Sequence, residues 1–251
     1  MNIFSKDHWS TNSRTHLRNL AIAGVICALC VAMSGLYIPL SNSLQIQFTF
    51  IVVALGCAVY GPFMGMAVAA VVDLISYFLF LSAYPYFPGY MVSEMLTALI
   101  FGLFLYRRKI TVYKLFWSRA LVNVFINVAL GALWSKMLYG KGYIADLWIR
   151  AVKNTLLLPL EVLMLAAVFG LMIPVLSRMK LLPAHDGAAL QKLQFGASIY
   201  PVFALSCLLG GGCSIYYAVT SGALAWLFYL LGGLLLGGAI VLMYMKQKMR
   251  E

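Results

Sequence analysis

Between Gln45 and Tyr106, three apolar runs are divided by two glycine-proline turns, Tyr60-Gly61-Pro62 and Pro85-Tyr86-Phe87-Pro88-Gly89, and two carboxylates, Asp73 and Glu94, lie inside those runs. Hydrocarbon cannot solvate a charge, so an acid at such a position needs a polar interior supplied by neighbouring helices or by a water-filled cavity. The stretch therefore predicts three membrane helices arranged around a pocket.

The rest of the chain repeats the pattern. Of its 251 residues 63% are apolar, and the runs approach the ~20 residues that cross ~30 Å of hydrocarbon. A soluble fold would have 25 charged side chains, 18 basic and 7 acidic, to cover its whole surface, too few for that class. The predicted fold is an all-α polytopic membrane protein with spans near residues 20–40, 48–60, 63–81, 90–106, 115–136, 146–176, 198–219 and 224–244. Pro159 is expected to kink the sixth span. The polar start, residues 1–19, lacks the short apolar region and cleavage site of a signal peptide. Residues 181–197 read as a polar link, and 198–251 as a glycine-rich two-helix extension with a basic end.

A net charge of +11 would suggest nucleic acid in a soluble chain. In a membrane protein it reports orientation, because basic residues collect in cytoplasmic loops. With the N-terminus inside and eight alternating spans, fourteen basic residues, Arg119 among them, fall on the cytoplasmic side. Four lie outside: Lys136, Lys141, Arg150 and Lys153. Both termini are then cytoplasmic and no nucleic-acid partner is expected. The four outer cations border one side of spans five and six, where they suit either lipid headgroups or an anionic small molecule.

Several residues inside the spans carry chemistry. Gly24, Ala28 and Ala32 form a small-residue stripe on the first span, fit for close helix packing, internal or with a partner. Asp73 ends the stripe Gly61, Gly65, Ala69 on the third span and reads chiefly as a structural hydrogen-bond acceptor. Asn123, Asn127 and Trp134 share one face of the fifth span by α-helical spacing, giving two amides beside an indole. The aromatics Tyr84, Tyr86 and Phe87 suit an interfacial turn or a stacking surface.

Other chemistry is excluded. The five cysteines all fall in apolar runs, and Cys27/Cys30 lacks the second ligand pair that zinc needs, so no metal is expected. The histidines, His8, His16 and His185, sit in polar segments, and Asp73 has no aspartate partner, which argues against an intramembrane protease. Without a P-loop sequence, any ATP chemistry comes from another chain. The chain reads as a non-enzyme; a passive membrane scaffold remains the competing class.

The ordered set Phe48-x-Phe50, Tyr60-Gly61-Pro62, Asp73-Leu74-x-x-Tyr77, Tyr86-Phe87-Pro88-Gly89-Tyr90, Phe101-Gly102-Leu103, Asn123 to Asn127 with Leu133-Trp134, Leu138-Tyr139-Gly140, and Arg150-x-x-Lys153-Asn154 with Leu158-Pro159 resembles the folate-family substrate-binding S components of energy-coupling factor (ECF) transporters over roughly residues 20–180. The resemblance implies a six-helix substrate-binding membrane domain over 20–180, to which the two C-terminal helices are an addition. It implies capture of folate or a related pterin, with another water-soluble vitamin, a thiamin precursor or riboflavin, as the alternative. It also implies a transmembrane coupling subunit and two cytoplasmic ATPases that use the ATP, this chain holding no cofactor itself. By the same resemblance Gly24, Ala28 and Ala32 match the partner-docking face. Stacking on the pterin falls to Phe87, Tyr90 or Trp134, edge hydrogen bonding to Asn127 or Glu94 with Asn123 nearby, and the glutamate-tail carboxylates to Arg150 and Lys153. Gln45 stands where the family commonly has a basic residue.

Overall fold

In lipid a backbone must satisfy its own hydrogen bonds, and a helix does so within one segment. The computed structural model describes residues 13–39, 45–79, 86–140, 142–179, 181–182, 199–221 and 225–248. In chain order the elements are α1 (Ser13–Ser34), β1 (Tyr37–Pro39), β2 (Gln45–Gln47), α2 (Thr49–Tyr60), α3 (Pro62–Leu79), α4 (Pro88–Leu105), α5 (Val112–Leu121), a π-helical segment (Val122–Leu130), α6 (Gly131–Tyr139), α7 (Tyr143–Arg178), α8 (Ile199–Ser221) and α9 (Ala225–Lys248). With α5, the π segment and α6 taken as one continuous helix, these are the eight expected helices. Among the described residues, five stretches are long and apolar enough to cross a membrane: Pro62–Leu79, Pro88–Leu105, Val112–Tyr139, Tyr143–Arg178 and Ile199–Tyr216. Shorter apolar helices occupy Leu20–Ser34, Thr49–Tyr60 and Tyr229–Ile240.

Two local readings change. The first span was expected to run to residue 40, but α1 ends at Ser34 and Tyr37–Pro39 is extended, pairing with β2 in a two-stranded ribbon. Pro39 accounts for part of this, since the residue before a proline is pushed out of the α region. The fifth helix is π-wound over nine residues, so the α-helical spacing that placed Trp134 on the face of Asn123 and Asn127 no longer decides which face it takes.

The chain divides into two compact units, each described by itself. The first holds α1 to α4 and the end of α7 from Met172. Here α2 packs against α1, α3 and α4. Its sequence is apolar on every face, and every residue from Phe50 to Tyr60 except Leu55 is buried, as expected of a helix without a polar side. Gly61 turns α2 directly into α3, which runs beside α4. That approach is close: a Cβ at Gly102 would lie 2.5 Å from Pro62 Cα.

The second unit holds residues 38–46, α5 to α7 as far as Leu171, and the C-terminal pair α8 and α9. Val112 and Phe116 of α5, Val162 of α7, Ile199, Phe203, Ala204 and Cys207 of α8 and Ala239 of α9 form one buried apolar cluster, so the C-terminal helices share a core with α5 and α7. At 36 residues and ~1.5 Å per residue, α7 is longer than an apolar core is thick, and it continues through Pro159. Proline has no amide hydrogen, which leaves the Thr155 carbonyl without its helical donor. Gly210 of α8 fills this notch, where a Cβ would sit 3.3 Å from both Thr155 O and Pro159 Cγ. Gly210→Val is expected to cost about 1–3 kcal/mol through overpacking, read as a lowered thermal midpoint of the detergent-purified chain. Gly212→Val, where a Cβ has open space, serves as the control with little change.

Candidate substrate site

The most distinctive polar feature is a ladder of side chains in the second unit. At its buried end Arg119 of α5 holds Glu161 of α7 by two bonds, Nε to Oε2 at 2.9 Å and Nη2 to Oε1 at 2.6 Å. Asn123 Nδ2 donates to the same Oε2 at 2.8 Å. Asn127 Nδ2 in turn donates to Asn123 Oδ1 at 2.9 Å and to Asn154 Oδ1 at 3.3 Å. Asn154 Nδ2 donates to the backbone carbonyl of Arg150 at 2.8 Å, and the Arg150 side chain bonds Asp146 Oδ2 through Nε at 2.6 Å.

Burial grades along the ladder. Asn123 is 3% exposed, Arg119 and Glu161 6% and Asn154 8%, whereas Asn127 and Arg150 are half-buried. Within an apolar helix bundle each of these groups needs a partner, because an unmatched polar atom keeps its full desolvation cost. The two-pronged arginine–carboxylate pair is the strongest such match available. Asn123 and Asn127 both lie in the π segment, a winding that occurs frequently at functional sites.

The structure thus brings Asn123 and Asn127 together as their spacing suggests and adds members that sequence reasoning missed. Arg119, counted by charge among the fourteen basic residues, is a buried ion-pair partner. Its presence, with Glu161, inside adjacent predicted spans was the available signal, since a lone cation and a lone anion in neighbouring membrane helices find each other. Asn154 and Asp146 are the other additions. Arg150 is not a bare cation, since Asp146 one helical turn away takes its Nε. Lys153 and Trp134 are half-buried.

The remaining candidates belong to the first unit or lack a described side chain. Phe87 and Tyr90 meet edge to face with ring centroids 5.9 Å apart, and Glu94 is exposed on α4. Asp73 accepts a 3.1 Å hydrogen bond from Tyr86 Oη, and Tyr86 packs on Tyr77 with centroids 5.1 Å apart. Burial, and then the Asp73 carboxylate, push the Tyr86 hydroxyl above its ordinary pKa, so it remains a donor. Gln45 lies in β2, its side chain outside the described part of the structure, as is Tyr84. Gly24, Ala28 and Ala32 line one groove between α1 and α3, with Cys27, Val31, Ile75 and Leu79, enclosing about 610 Å³. Ser76 of α3 donates to Ser34 of α1 at 3.2 Å.

Apolar helices around a buried polar ladder define a multi-pass membrane protein. The family described as "ECF transporter, substrate-specific component" matches residues 18–174, and the chain belongs to that family. Among its relatives is a "Folate transporter FolT" of Clostridium novyi (strain NT), 28% identical over 122 residues, which cover 49% of this chain and 70% of the relative. A "Folate transporter FolT" of Leuconostoc mesenteroides subsp. mesenteroides is 26% identical over 151 residues, 58% of this chain and 80% of the relative. The solved structure described as "Crystal structure of FolT bound with folic acid" superposes with a TM-score of 0.55 at 30% identity, covering 60% of this chain and 92% of that one.

Proposed function

We propose that this chain is the folate-capturing subunit of an ATP-driven ECF transporter, taking up folate or reduced folates from outside the cell. The observation that carries the reading is the likeness to the folic-acid-bound FolT structure over 92% of that chain, together with family membership across residues 18–174. The six-helix part, residues 20–180, is the substrate-binding domain, and 198–251 is an extension joined to it. The chain sits in the cell membrane, lipid around it, with both termini cytoplasmic. It performs no catalysis and holds no cofactor. A transmembrane coupling subunit and two cytoplasmic ATPases supply the energy, and the exposed groove at Gly24, Ala28 and Ala32 is the surface offered to the coupling subunit.

By residue, stacking on the pterin is assigned to aromatics among Phe87, Tyr90 and Trp134, its edge hydrogen bonds to Asn127 or Glu94, and the tail carboxylates to Arg150 and Lys153. Gln45 and Asn123 are also assigned to substrate binding, and Asp73 to a structural role. Asp146 occupies Arg150 Nε, so a ligand carboxylate is met by the Nη groups. Arg150→Ala is expected to weaken folic acid binding by about 10- to 100-fold, the worth of charge-assisted hydrogen bonds, with the unpaired Asp146 carboxylate adding repulsion. Asp146→Asn in the same chain should recover part of the loss. Competition binding tests the substrate: displacement of bound folic acid by reduced folates and not by thiamin or riboflavin is the expected result. Displacement by either control vitamin at comparable concentration would overturn the folate assignment.

A further inference from the structure

The ladder has a direction. Glu161 is a carboxylate held by Arg119, so it can only accept hydrogen bonds, and Asn123 must turn its Nδ2 toward it. That leaves Asn123 Oδ1 facing Asn127, which must answer with a donor. From the other end the Arg150 backbone carbonyl also only accepts, so Asn154 turns its Nδ2 there and its Oδ1 toward Asn127. Both hydrogens of Asn127 Nδ2 are therefore engaged by acceptors whose orientation is imposed from outside the residue. Asn127 cannot flip its amide without setting its oxygen against two other oxygens.

What remains is Asn127 Oδ1, which receives no hydrogen bond from the described residues, on a half-buried side chain. We infer that Asn127 is a specificity residue locked as a hydrogen-bond acceptor, and that Glu161 is the positioning residue that locks it through Asn123. The group it selects is an N–H donor on the edge of the ligand ring. This rests on the folate reading above, in which Asn127 meets the pterin edge; the pterin offers such donors at its 2-amino group and at N3. A site whose polar groups cannot reorient rejects a ligand of opposite polarity more strongly than one that can, because the mismatch leaves a desolvated atom unpaired.

The test measures equilibrium binding to the detergent-purified full chain of three ligands: folic acid, its 2-desamino analogue, which lacks one donor, and its 4-amino analogue, in which N3 becomes an acceptor. The wild type is expected to bind at least one analogue about tenfold more weakly than folic acid. In Asn127→Leu that ratio should fall to about threefold or less, with folic acid itself weakened. Glu161→Gln, which can present a donor to Asn123 and so free the amides to turn, should also shrink the ratio; a purely structural Glu161 would change all three affinities together. If Glu161→Gln does not fold, Asn127→Leu alone decides. Full discrimination retained in Asn127→Leu, or none in a wild type that binds folic acid, overturns the inference and leaves the folate reading standing. A folded wild type that does not bind folic acid overturns the folate reading itself.

Discussion

Glu161→Leu is expected to destabilise the protein by about 3–5 kcal/mol, because it removes the carboxylate that pairs with the Arg119 guanidinium in a site where the arginine is only 6% exposed. A surface ion pair would be worth a fraction of this. Removing the counter-ion here also takes away the acceptor of Asn123, so two buried side chains lose a shared acceptor at once. Arg119→Leu combined with Glu161→Leu should recover much of the loss, since two apolar side chains suit an apolar surround better than a guanidinium deprived of its carboxylate. Thermal unfolding of the three variants in one detergent checks this. Equal midpoints for the single and the double variant would mean that the pair is not what the loss reports.

Gly102→Val is expected to have the second largest effect, about 3 kcal/mol or more. The added Cβ would be placed 2.5 Å from Pro62 Cα and 2.7 Å from Pro62 N, which are backbone atoms at the start of α3 and have no rotamer to escape into. Only separation of α3 from α4 relieves the clash, and α2 is packed against both. The same change at Gly24, where a Cβ meets nothing within 4 Å, should leave the unfolding midpoint nearly unmoved. Unfolding midpoints within a degree of each other for the two variants would refute the close α3–α4 approach.

Much of the fold was legible because membrane helices announce themselves by long apolar runs and by the turns between them. Tyr60-Gly61-Pro62 marks the join of α2 and α3, and Pro88-Gly89 the start of α4. The site was legible only where its chemistry is local. Asn123 and Asn127 are four residues apart, and their contact follows from helical spacing. Arg119 and Glu161 are separated by 42 residues, and nothing in the neighbourhood of either says which partner it will meet. Arg119 also follows the basic run Arg107, Arg108 and Lys109, so the sequence grouped it with them by charge and gave no sign of its burial. The π winding of Val122–Leu130 has no compositional signature in an apolar segment, and it removed the spacing argument for Trp134. The shared core of α8 and α9 with α5 and α7 was hidden for a related reason: a glycine-rich apolar pair presents no polar face from which a packing direction could be read.

The most direct measurement is equilibrium binding of folic acid and 5-formyltetrahydrofolate to the purified chain, followed by quenching of its 5 tryptophans, with thiamin and riboflavin as controls. It needs no partner subunit, since capture is assigned to this chain alone. Saturable binding of the folates with no response to the controls is the predicted result. A folded protein that ignores both folates and binds one of the control vitamins would contradict the account, while leaving its place among substrate-specific components intact.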